Sequence, residues 1–153
     1  MVSVKLTIPA VMVNIGQQDE LCLENLYRRF GIARRRAYML KQRGVPKGEI
    51  ERILQEELGL NSRYIKDAYH SIENLPPHVT FGGLKLQRLR EEGKISREEF
   101  HRRRNSLIIS RGDRTKKGNL NARVVRENSR LLLRINVSNG EEKRWIHPEL
   151  FIP

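Results

Sequence analysis

The sequence predicts an α+β fold: a small antiparallel β-barrel or meander that carries an inserted helical bundle. Three observations predict it. The apolar pattern has period two near both ends of the chain and a period of three to four between them. Turn signals at Gly44, Gly59, Pro76-Pro77 and Gly93 cut the middle into short helices. Asn139-Gly140, between two alternating runs, marks a hairpin.

In chain order, Val2 to Ile8 alternates apolar and polar residues and stops at Pro9, the pattern of a half-buried strand. Gln17 to Phe30 places Leu21, Leu23, Leu26, Tyr27 and Phe30 on or near one helical face. Gly31 is expected to interrupt it, with a second helix from Ile32 to about Gln42. Glu49 to Leu58 repeats Ile50, Ile53, Leu54 and Leu58 at helical spacing, and Gly59 stands where a left-handed glycine ends a helix. Asn61 caps the next helix, Ser62 to about Leu75, which Pro76-Pro77 stops. Leu84 to Glu91 is a short helix. Ser96 and Glu99 form a capping box at the start of a further helix that runs through Arg102-Arg103-Arg104 and is expected to end at Ser110-Arg111-Gly112-Asp113. Beyond the loop, Asn121–Arg126, Leu131–Val137 and Lys143–His147 read as strands of a meander.

The simplest assembly pairs the N-terminal strand with this meander. Residues 1–10 and 120–153 then form the β part, and residues 16–118 form a helical insertion ending in a basic loop. Closing so long an insertion costs little extra, because closure entropy grows only with the logarithm of loop length. Leu150 to Ile152 reads as the start of another strand, so the chain is expected to be part of a longer protein.

The net charge of +12 points to a polyanion, and its distribution is uneven. Residues 28–43 carry +7 with no acid, residues 85–134 carry +10, and the remainder sums to −5. Two basic blocks separated by a near-neutral stretch suggest two faces of one groove. The single cysteine, Cys22, cannot form an internal disulfide, and the four histidines show no ligand spacing, so no metal or cofactor is expected. No apolar run is long enough for a membrane helix and no signal peptide opens the chain, so a cytoplasmic location is expected. Motifs of known catalytic mechanics and clustered carboxylates are absent, so no catalytic residue is named.

The candidate binding residues follow from charge without compensation. Lys116, Lys117, Arg111 and Arg114 lie in a loop with almost no apolar side chain. Glu98 and Glu99 stand four residues before Arg102 and Arg103, whereas Phe100 precedes Arg104, which makes Arg104 the free cation of that helix. Arg34, Arg35 and Arg36 have no acid at four-residue spacing on their own helix. Asn119, Asn121 and Arg123 stand where the loop becomes a strand; Arg123 suits a phosphate, while the two asparagines fit phosphate, base edge or turn equally well. Phe81, beside two glycines, is the aromatic residue best placed to stack on a base, and the other aromatics fall at packing positions. Arg111-Gly112-Asp113 spells an adhesion tripeptide, taken as coincidence. In the groove expectation, Arg34–Arg36 face Arg104, Arg111, Arg114, Lys116 and Lys117.

Several short matches in order carry a resemblance: Phe81-Gly82-Gly83, Gly93-Lys94-Ile95-Ser96-Arg97-Glu98-Glu99-Phe100, Arg104-Asn105-Ser106, Ser110-Arg111-Gly112-Asp113 and Lys117-Gly118-Asn119-Leu120-Asn121-Ala122-Arg123. Together with Tyr27-Arg28-Arg29-Phe30 and Leu60-Asn61-Ser62-Arg63-Tyr64, they resemble the N-terminal half of TnpB-type proteins, the OrfB products of insertion sequences and relatives of type V CRISPR effectors. The resemblance implies a wedge-like β part with an inserted recognition-like helical part. It implies guide RNA and target DNA as partners, together with a RuvC-like nuclease domain elsewhere in the same prokaryotic protein. A small basic nuclease or transposase acting alone, and a protein-interaction module with an acidic partner, are the alternatives.

Overall fold

Leucine-rich faces and strong stop signals produce five helices and five short strands, seen in a computed structural model that describes residues 5–153. The first strand, β1, is Val11–Val13, and residues 5–10 have no regular structure. The expected strand at Val2–Ile8 therefore shifts past Pro9, and its first three residues lie outside the described residues. Pairing explains the shift. Strand β1 forms where a partner exists, with Val11 opposite Phe151 and Val13 opposite Glu149.

Helix α1 runs without a break from Gln17 to Gln42. Gly31 does not end it. A Cβ at Gly31 would stand 2.9 Å from Cγ of Asn105 and closer still to its Oδ1, so this glycine is a notch into which another side chain fits. Helix α2 spans Lys47–Leu58 and ends on Gly59 in the left-handed conformation. Helix α3 spans Ser62–His70, with Asn61 Oδ1 accepting the Tyr64 N–H at 2.9 Å. Helices α4 (Leu84–Glu91) and α5 (Arg97–Arg104) form a hairpin that buries Leu86 and Phe100. Ser96 Oγ caps α5 by accepting the Glu99 N–H, but α5 stops at Arg104, well before Arg111.

Strands β2 (Ala122–Glu127) and β3 (Arg130–Asn136) form a hairpin. Its turn residues Asn128 and Ser129 both take positive φ, which matches the twist of the strands. Strands β4 (Trp145–Ile146) and β5 (Glu149–Phe151) lie along the other edge of β3, and β1 completes the order β1-β5-β3-β2. The sheet is open and antiparallel, not a closed barrel. Strands of two and three residues cannot tilt and stagger far enough to bring β1 round to β2.

Helices and sheet share one core. Leu26, Phe30, Ala33 and Ala37 of α1 pack with Ile50, Leu54, Ile65 and Ala68 of α2 and α3, with Ile135 and Ile146 of the sheet, and with Val137 just past β3. Arg29 fastens this seam. Its guanidinium donates to the carbonyls of Leu58, Gly59, Ser138 and Val137, and its Nε donates to Asn25 Oδ1 at 2.7 Å. The side chain thereby meets the orphan carbonyls at the end of α2 and ties them to the strand end. Tyr64 adds a second tie, its hydroxyl donating to the Asn136 carbonyl at 2.7 Å.

Candidate nucleic-acid interface

One stripe of α3 organises the basic residues. Arg63, Asp67 and Ser71 recur at four-residue spacing and so lie along one side of the helix. Each holds something different. Arg63 reaches Asp113 at 3.4 Å. Asp67, buried, accepts both the backbone N–H of Arg111 at 3.1 Å and its Nε at 2.8 Å. Ser71 Oγ accepts from Arg34 Nε at 2.9 Å. The segment 111–113 and Arg34 of α1 therefore lie over the same face of α3, on neighbouring turns. Arg34 and Arg111 thus share a side of α3.

Beyond Arg111 the chain closes a tight loop. Asp113 and Gly118 exchange two backbone hydrogen bonds, both 3.0 Å long. Asp113 also caps the single 3-10 turn over Arg114–Lys116, accepting the Thr115 N–H and hydroxyl, each at 2.9 Å. Those two bonds, followed by Arg63, hold the Asp113 carboxyl below its ordinary pKa. Lys117 and Gly118 then take positive φ to turn the chain back. Arg114, Lys116 and Lys117 stand exposed on this loop, and none of them forms an ion pair among the described residues. Both charged members of the adhesion tripeptide are occupied within the protein.

The second basic group lies where α1 crosses α5. Asn105, at the C-cap of α5, fits the notch at Gly31, and its Oδ1 accepts from Arg35 Nη1 at 2.6 Å. Arg104 lies over the Phe100 ring at 4.9 Å, and its Nη2 is 3.0 Å from His101 Nδ1. Arg34 lies over the Phe81 ring at 5.5 Å. Phe81 also meets Tyr38 edge-on, so the ring is half-buried packing rather than a free stacking platform. Burial, then Arg104, then Arg34 bring the Arg35 pKa down to about 10, so at neutral pH it is still a cation. Among the described residues, no carboxylate offsets the charge of Arg34, Arg35 or Arg104.

Other sequence candidates separate from these groups. Arg36 turns to α2 and makes a bidentate pair with Glu57, both bonds 3.0 Å. The missing acid on its own helix comes from the neighbouring one. Arg102 and Arg103 both pair with Glu99, which leaves Arg104 as the uncompensated arginine of α5. Asn119 performs turn chemistry: its Oδ1 accepts from Ser110 Oγ and from the N–H groups of Asn121 and Ala122. Asn121 is 1% exposed and offers no surface to a ligand. Its side chain exchanges hydrogen bonds with Asn61 and accepts from Asn136 at 3.3 Å, which locks the loop exit to α3 and β3. Arg123 donates Nε to the Asn119 carbonyl at 2.7 Å and stands opposite Arg134 across the hairpin.

Sequence reasoning missed Arg63, Asp67, His101 and Asn105. For Asn105 a signal existed. An isolated glycine inside a helical pattern more often marks close packing than a break, and Gly31 is such a glycine. Asp67 and Arg63 could have been found from their four-residue spacing on the capped helix. Among the described residues, no group of three or more His, Cys, Asp or Glu could hold a metal ion, and no helix is long and apolar enough to cross a membrane.

A family model described as the SSO2105 N-terminal domain matches residues 5–153 of the chain. No curated protein and no solved structure matches it.

Proposed function

The chain belongs to the SSO2105 N-terminal domain family, and from that premise we propose that it is a nucleic-acid-binding module. It grips backbone phosphates with the loop at Arg114–Lys117 and with the arginines where α1 meets α5. The observation that carries the reading is the single stripe of α3, which brings Arg34 and the Arg111 segment to one face. Phosphate contacts of this kind give affinity and register without reading sequence.

The finer reading is the RNA- and DNA-binding lobe of a TnpB-like RNA-guided nuclease, with guide RNA and target DNA as partners. The short motifs between Tyr27 and Arg123 support it, as does the placing of all five helices between strands β1 and β2. The open sheet does not match the closed wedge barrel of that reading, which leaves the sequence motifs as its main support.

Salt titration tests the module. Affinity for structured RNA and for duplex DNA is expected to fall log-linearly with salt. If Arg114, Lys116 and Lys117 each hold one phosphate and the arginines of the crossing hold one more between them, the slope is about −3 to −4. The double substitution Lys116→Glu, Lys117→Glu should flatten that slope and weaken binding on every sequence alike. Affinity that stays constant from low to moderate salt, or is unchanged in the double variant, refutes the proposal.

A further inference from the structure

We propose that Arg34, Arg35 and Arg104 form a built receptor for one phosphate group at the crossing of α1 and α5, separate from the basic loop. The inference rests on the nucleic-acid reading for the origin of the phosphate, a backbone or terminal phosphate of the bound strand. The receptor itself rests on geometry.

The three arginines come from two helices and lie around one crossing: Arg35 donates to Asn105, the neighbour of Arg104, and Arg34 lies over Phe81, whose neighbour Gly82 passes the Arg104 stem; among the described residues no acid pairs with any of them. Each is held by a neutral neighbour. Arg35 is oriented by Asn105 Oδ1, Arg34 by Ser71 Oγ, and Arg104 by the Phe100 face and the His101 ring nitrogen. A neutral acceptor fixes an arginine's direction without cancelling its charge. A carboxylate in the same place would do both, as Glu57 does for Arg36. The group is thus preorganised and uncompensated, which costs stability in the free protein through like-charge repulsion.

Two further features suit an incoming anion. Arg104 Nε is buried and has no hydrogen-bond partner among the described residues, so the donors of this arginine are not all spent within the protein, and a phosphate would meet the outer nitrogens of the guanidinium. Gly82 passes beside the stem of Arg104, where a Cβ would stand 2.8 Å from Leu86 Cδ2 and 3.4 Å from Arg104 Cγ, so a larger residue there would displace the arginine. Phosphate matches the site because its oxygens accept several charge-assisted hydrogen bonds from arginine forks at once.

The experiment is thermal unfolding of the full chain in sodium phosphate against sodium chloride at matched ionic strength. The wild-type midpoint should rise with phosphate along a binding curve. Arg104→Met keeps the aliphatic stem over Phe100 and removes a repelling charge. It should retain its midpoint in chloride and lower the apparent phosphate affinity about tenfold, the size of one charge-assisted hydrogen bond. Arg35→Met should behave alike. If either variant fails to fold, the wild-type protein decides: the Nε–H resonances of Arg35 and Arg104 should shift on titration with inorganic phosphate. Midpoints that respond equally to phosphate in wild type and both variants, or resonances that stay still, overturn the receptor.

The outcomes separate this inference from the reading beneath it. A phosphate response lost in Arg104→Met, in a protein that binds no polynucleotide, upholds the receptor and refutes the nucleic-acid module. Polynucleotide binding unaltered in both arginine variants, with no phosphate response, refutes the receptor and upholds the module. The loop variant Lys116→Glu, Lys117→Glu should keep the full phosphate response, and its loss there would also refute the separation of the two sites.

Discussion

Arg29 and Arg35 stand six residues apart on α1, and both lose proton affinity through burial. Their surroundings are opposite. The seam around Arg29 meets its guanidinium with four carbonyls and an asparagine. The crossing around Arg35 offers one asparagine and two other arginines. A buried arginine whose guanidinium is tied into the protein's own carbonyls is a fastening. One that is held in place with its charge uncompensated is a candidate site. Burial alone does not distinguish them; the accounting of partners does.

The largest expected effect breaks the comparison on the fastening side. Arg29→Met leaves the carbonyls of Leu58, Gly59, Val137 and Ser138 short of donors at the helix–sheet seam. Orphaned buried acceptors of this kind cost about 2–4 kcal/mol in all, measurable by urea denaturation. Arg35→Met, by contrast, should leave the urea midpoint nearly unchanged. Equal losses in the two variants would erase the distinction.

Gly31→Ala comes next and tests what holds the crossing together. The new methyl meets the Asn105 amide, which must move, and Arg35 loses its orienting acceptor. Overpacking there should cost about 1–3 kcal/mol. Unlike Arg29→Met, it should also blunt the phosphate response, because the defect lies at the receptor. A stable Gly31→Ala protein with full phosphate response would show that Asn105 does not position Arg35.

Local chemistry made much of this fold readable. Asn61, Ser96 and Gly59 act as the caps their residue types predict, and Asn139-Gly140 turns the chain between β3 and β4. Long-range choices were less readable. The N-terminal strand forms at Val11–Val13 because β5 is its partner, a fact of pairing that alternation in residues 2–8 could not contain. Gly31 reads locally as a break, yet tertiary packing makes it a notch. The same limit holds for the candidate site. Arg104 was legible as unpaired because Arg102 and Arg103, which take the nearby acid, lie on its own helix. The pairing of Arg36 was not legible because its partner, Glu57, lies on α2. Asn121 looked available because burial leaves no mark on an isolated polar letter.

The smallest expected effect sharpens the comparison through a proton. His101 sits among Arg104 and Arg97 of its own helix and Arg35 and Arg28 of α1, and burial together with these four cations lowers its pKa below the ordinary 6.5. The folded protein therefore binds the His101 proton less readily than the unfolded chain does. Stability from this residue is present above about pH 6.5 and is lost as pH falls through the lowered folded value. His101→Gln should remove that part of the acid sensitivity and no more. A phosphate seated against Arg104 reverses the local field, so the His101 titration, followed by its ring proton resonances, should move upward when phosphate replaces chloride. The seam at Arg29 takes up no anion and should give no such response. A His101 titration that is the same in both salts would mean that the charge at the crossing stays uncompensated, and that Arg35 and Arg29 differ in packing alone.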